Sequence, residues 1–66
     1  MYLNVQAEMI RQGISIDVMS DHLGITRRTF SLKLKGRYPF TLKEALTIKA
    51  VLNVDIPLEE LFEEAI

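Results

Sequence analysis

The chain contains no cysteine, so neither a disulfide nor a cysteine-based zinc site can staple it, and packing must hold it together. It has a single histidine, His22, and one histidine without cysteine cannot assemble a metal cage. A glycine-rich phosphate loop is lacking, as is a nucleophile with a base at workable spacing. Glu59, Glu60, Glu63 and Glu64 crowd one segment whose other face is apolar, which makes a solvated surface rather than an acid–base pair. Catalysis is therefore not expected, and neither a cofactor nor a small-molecule ligand is implied. No apolar run approaches the length of a membrane span, and the amino terminus has no secretory pattern. An intracellular protein without membrane contact is expected.

What is present is a charge divided along the chain. The formal net charge is only −1 over 66 residues. Yet the stretch from His22 to Lys43 holds Arg27, Arg28, Lys33, Lys35, Arg37 and Lys43 with no acid, a local +6. The other 44 residues carry Arg11, Lys49 and nine acids, a local −7. A partner meets this distribution and not its sum, so the middle third offers a polyanion a landing face.

Apolar positions recur at helical spacing almost throughout, and no stretch alternates as an amphipathic strand would. One all-α domain over residues 1–66, made of five short helices, is predicted. The first, Leu3 to Gln12, sets Leu3, Ala7 and Ile10 on one face and closes at Gly13. Ser15 caps a second, with Asp17 in its first turn, an inner stripe of Met19 and Leu23, and Gly24 at its end. Thr26 caps a third that runs to about Lys35 with Phe30 and Leu34 inward. Gly36-Arg37-Tyr38-Pro39-Phe40 reads as a turn, with Tyr38 packing on the body.

Thr41 and Glu44 then form a capping box for a fourth helix, which ends near Leu52 with Asn53 in the left-handed conformation. Pro57 opens a fifth, where Leu58, Leu61, Phe62 and Ala65 share a face. The predicted core is Leu3, Ala7, Ile10, Met19, Leu23, Ile25, Phe30, Leu34, Phe40, Ala45, Ile48, Leu52, Leu61 and Phe62.

The segment from Ile16 to Gly36 carries the functional reading. Two short helices are joined by Leu23-Gly24-Ile25-Thr26, where Gly24 supplies a positive φ, Ile25 fills the angle between the helices, and Ser20 stays small at their crossing. At about 100° per residue, the third helix turns Arg28, Thr29 and Leu32 away from Phe30 and Leu34. Ser31 and Lys35 then lie on one flank, Lys33 lies on the other, and Arg27 reaches outward from the first turn. Two cations at a helix start oppose the helix dipole, which argues that they are there for a use. Arginine bonds the O6 and N7 of guanine, and leucine meets a thymine methyl.

At these residues the sequence resembles the Cro/C1-type (XRE, phage repressor-like) helix-turn-helix family. The likeness rests on Ser20, Leu23-Gly24-Ile25, Thr26, Leu34-Lys35-Gly36, Pro39-Phe40-Thr41-Leu42, Glu44-Ala45-Leu46 and Leu58-Glu59-Glu60-Leu61-Phe62. It covers nearly the whole chain, from about Leu3 to Phe62. The resemblance implies a lambda-repressor-like five-helix domain, a helix-turn-helix at about residues 16–36, and a homodimer on double-stranded DNA. It implies a transcriptional regulator, either a phage or prophage repressor or a bacterial one, in the cytoplasm of a bacterial or phage-infected cell. Arg27, Arg28 and Leu32 are the implied base readers. Thr26, Thr29, Ser31, Lys33, Lys35 and Arg37 are phosphate or flanking contacts, and Leu58, Leu61 and Phe62 are candidates for a dimer contact. Two positions depart from the family: Ile16 stands where a glutamine usually bonds phosphate and steadies a reader, and Ser20 stands where alanine is usual. The net negative charge, Ile16 and an outward Leu32 support a second reading, a protein-interaction module that keeps the fold without binding DNA.

Overall fold

The computed structural model describes residues 1–64, and among them the chain forms five helices and no strand. They are α1 (Leu3–Gln12), α2 (Ile16–Leu23), α3 (Arg27–Leu34), α4 (Leu42–Leu52) and α5 (Leu58–Leu61). α4 runs through the middle: α2 packs on both α3 and α4, and α4 also meets α1 and α5. The Cα radius of gyration is 10.5 Å. No helix among the described residues is long and apolar enough to cross a membrane. Ala65, predicted to share the face of the last helix, lies outside the described residues.

The caps follow the residue types. Ser15, Thr26 and Thr41 each accept a hydrogen bond from the backbone N–H three residues on, at Val18, Thr29 and Glu44. Each thereby satisfies a donor that the first helical turn leaves free. Glu44 completes the capping box by accepting from the Thr41 N–H at 2.9 Å. Asn53 ends α4 at φ 52°.

The turn after α2 closes through a left-handed glycine, as the turn after α1 does at Gly13. Gly24 sits at φ 70°, its N–H donates to the Asp21 carbonyl, and the Ile25 N–H donates to the Ser20 carbonyl. This pair of bonds is the Schellman closure, in which a left-handed residue lets the chain fold back on its helix. Ile25 then packs half-buried on the core.

The buried core is Val5, Met9, Met19, Phe30, Leu34, Ile48, Leu52 and Leu61. Leu23, Ile25, Phe40 and Phe62 pack half-buried around it. Phe40 makes edge-on contacts with Tyr2 and Phe62 and lies tilted against Phe30, so the aromatic rings close the seam between the start of the chain, α3 and α5. Tyr38, expected to pack on the body, is instead exposed, and the tyrosine that packs there is Tyr2.

The first helix corrects the sequence reading. Leu3, Ala7 and Ile10 are exposed, Ile10 at 81%, and the buried pair is Val5 and Met9. The reason lies in polar bonds that α1 makes on its way into the body. Asn4 Nδ2 donates to the Glu60 carbonyl at 2.8 Å, and Gln12 Nε2 donates to the Leu52 carbonyl at 2.8 Å. The Leu52 carbonyl lies in the last turn of α4, where carbonyls lack an intrahelical partner, whereas the Glu60 carbonyl also accepts the Glu63 N–H. With α1 held by these two bonds and by the burial of Val5 and Met9, Leu3 and Ile10 face solvent.

Candidate nucleic-acid interface

α2 and α3 are eight residues each, joined through the Gly24 turn, and the basic stretch begins at the second of them. Their crossing is close because Ser20 is small. It is 2% exposed, and its hydroxyl donates to the Asp17 carbonyl at 3.0 Å, so the buried oxygen costs no lost hydrogen bond. Phe30, wholly buried, and Leu34 fix α3 to the body and so determine which face it leaves outside.

Thr26 and Thr29 are largely occupied with each other. The Thr26 oxygen accepts the Thr29 N–H at 3.1 Å, and its hydroxyl lies 2.9 Å from the Thr29 hydroxyl. Arg27 and Arg28 are both exposed on the first turn of α3. Arg28 makes no ion pair among the described residues, whereas Arg27 Nε lies 2.7 Å from Asp17 Oδ1 on the first turn of α2. Leu32 is half-buried and not the fully outward side chain that helical stepping suggests.

Lys33 does not present its charge to solvent. Its ammonium bonds both Glu44 oxygens at 2.6 and 2.7 Å, and each side chain is only 13% exposed. Burial favours the neutral form of the Glu44 carboxyl. The bonds from Lys33 and from the Thr41 backbone outweigh it and hold the acid below its ordinary value. The phosphate contact expected of Lys33 is corrected to an internal strut between α3 and α4.

Ser31 is half-buried, and with Lys35 it lines an open groove of about 430 Å³ whose apolar walls include Met9, Ile10, Ile14 and Ile16. Ile16 is half-buried and packs against the core. Lys35, Arg37 and Lys43 are exposed and make no ion pair among the described residues.

Of the six cations between residues 22 and 43, two are paired with acids from other helices, and four make no ion pair among the described residues. Sequence reasoning assigned Asp17 to a helix dipole and Glu44 to a cap. Their second roles bridge different helices, and no local spacing encodes such a contact.

On α5, Leu61 is wholly buried and cannot meet a second copy. Leu58 and Phe62 are half-buried and border a shallow groove with Leu42, which is 69% exposed. Comparison of the chain with protein-family models, curated proteins and solved structures returned no match.

Proposed function

We propose that the chain is a helix-turn-helix protein of the Cro/C1 type that binds double-stranded DNA and regulates transcription. The observation that supports this best is the α2–turn–α3 unit. α3 is anchored by Phe30 and Leu34. Cations with no ion pair among the described residues lie on its first turn at Arg28, at its end at Lys35, in the following turn at Arg37 and at the start of α4 at Lys43. In this reading α3 enters the major groove, a space about 12 Å wide that admits a helix. Arg28 and Arg27 are the base readers, with Leu32 at the margin. Lys35, Arg37 and the backbone donors at the start of α3 take phosphates.

So short a reading helix gains little alone, so the bound form is a two-fold homodimer with reading helices about 34 Å apart. Leu58 and Phe62, with Leu42 beside them, are the proposed contact between copies. A phage or prophage repressor, or a bacterial regulator, acting in the cytoplasm is the role this fits.

The test is a salt titration of binding to a fluorescent duplex, followed by selection of bound sequences from a random pool. Affinity should fall steeply and linearly with the logarithm of salt concentration. A protein-interaction module is the second reading, favoured by the neutralisation of Arg27 and Lys33 by this chain's own acids. Absence of duplex binding at low salt would select it.

A further inference from the structure

Arg27 differs from the other exposed cations of α3 in already having an anion beside it. Its Nε lies 2.7 Å from Asp17 Oδ1, and the two side chains are 71% and 61% exposed. Asp17 is explained in part by the dipole of α2, which favours an acid in the first turn. That does not account for an arginine at the opposite helix start, where the dipole disfavours a cation. Asp21, also exposed on α2, makes no ion pair among the described residues, so the pairing is particular to position 17.

We propose that Asp17 is a positioning and specificity-determining residue: it steadies Arg27 for a guanine edge and keeps it from non-specific phosphate contact. The proposal rests on the DNA-binding reading above. Guanidinium carries five N–H donors in a rigid planar fork. A carboxylate beside Nε occupies the inner side of that plane and leaves the outer edge, at Nη1 and Nη2, for a second ligand. Guanine O6 and N7 are neutral acceptors spaced for that outer edge, so they can bind while the carboxylate stays. A phosphate is an anion. It meets an arginine whose charge is already balanced, and it is repelled by Asp17 itself. Fixing the plane also reduces the side-chain freedom that Arg27 would lose on docking. The same carboxylate thus favours the base and disfavours the backbone, and discrimination depends on the ratio of the two.

The experiment compares Asp17→Asn, Asp21→Asn and the unaltered chain on two duplexes, the tightest binder from a random pool and a scrambled duplex of equal length. Both variants remove one negative charge from α2, and helical circular dichroism confirms that each is folded. For Asp17→Asn, affinity for scrambled DNA should rise severalfold, with a salt slope steeper by about one. Its affinity for the selected duplex should stay level or fall, so the ratio of the two drops about tenfold, as for the loss of one oriented base contact. Asp21→Asn should raise both affinities by the same modest factor. If Asp17→Asn behaves as Asp21→Asn does, Asp17 is only a surface charge and the proposal is overturned while DNA binding stands. If the unaltered chain binds neither duplex at low salt, the DNA-binding reading itself has failed and the proposal falls with it.

Discussion

Lys33 on α3 and Glu44 on α4 meet with both carboxylate oxygens within 2.7 Å of the ammonium, in a setting where each side chain is 13% exposed. Glu44 simultaneously accepts the Thr41 N–H, so one carboxylate caps α4 and holds α3 against it. The contact makes stability depend on acid. The folded-state acidity of Glu44 lies below its ordinary value near 4.5, because Lys33 and Thr41 bond the charged form more than burial penalises it. A carboxyl so depressed contributes stability that is fully present above the unfolded value and is lost as pH falls through the folded one. Urea midpoints measured from about pH 7 down to about pH 2 should therefore drop below the range near 4.5, and Glu44→Gln should flatten that drop. An unchanged pH profile in the variant would mean that other acids carry it.

Removing one partner should cost more than removing both. Lys33→Met leaves the part-buried Glu44 carboxylate without its counter-ion, so the loss should lie below the value of about 3–5 kcal/mol for a fully buried pair broken on one side. The Thr41 N–H still serves that carboxylate, which lowers the expected loss further. Adding Glu44→Gln to Lys33→Met should recover part of the loss, because the uncompensated charge is then gone. Chemical unfolding of the two single variants and the double variant reads the coupling directly.

Phe30 tests the seating of α3. It is wholly buried and faces Phe40 at a ring separation of 6.1 Å. Truncation to alanine should cost about 3–5 kcal/mol, a large share of what a small domain holds. Leu3→Ala, at a site of similar apolar type but half exposed, should cost far less. Equal losses at the two sites would contradict the orientation of α1 described above.

The contrast between α1 and the rest shows what the sequence discloses. Caps are local, and Ser15, Thr26, Thr41, Asn53 and the glycines at 13 and 24 all stand where their chemistry places them. The choice of buried face is local only when one face is plainly apolar. α1 carries apolar residues on two faces, Leu3, Ala7 and Ile10 against Val5 and Met9, so periodicity alone could not rank them. What decided between them was distant: Asn4 and Gln12 bond carbonyls 56 and 40 residues away. The candidate interface divides in the same way. The basic stretch was legible as composition, whereas the neutralisation of Arg27 by Asp17 and of Lys33 by Glu44 depends on how the helices cross.

Gly24 offers a separate check on the turn that orients α3. A Cβ built there meets nothing within 4 Å, so the obstacle to a side chain is the backbone at φ 70° and not space. Gly24→Ala should destabilise by about 1–2 kcal/mol, the usual left-handed penalty for a residue with a Cβ. Gly24→Asn should cost less, since asparagine tolerates that region, as Asn53 does at the end of α4. Thermal melts of the two variants give the order, and an alanine variant as stable as the parent would mean that the turn relaxes to another shape.

Base reading and phosphate anchoring are separable at Arg28 and Lys35. Arg28 is exposed on the first turn of α3 and free of any ion pair among the described residues, while Lys35 caps the end of the same helix. If α3 lies in a major groove with its start toward the bases, Arg28 reaches base edges and Lys35 reaches the phosphates that wall the groove. A bidentate arginine–guanine pair discriminates by about 1–3 kcal/mol, so Arg28→Ala should lower affinity for a selected duplex and barely alter it for a scrambled one. A phosphate contact carries no sequence information, so Lys35→Ala should weaken both duplexes by one factor and reduce the salt slope by about one. Neither side chain is part of the core, so circular dichroism should report both variants as folded as the parent. Should Arg28→Ala lower both affinities equally, Arg28 is a phosphate contact and the reading of bases passes to Arg27 and its partner Asp17.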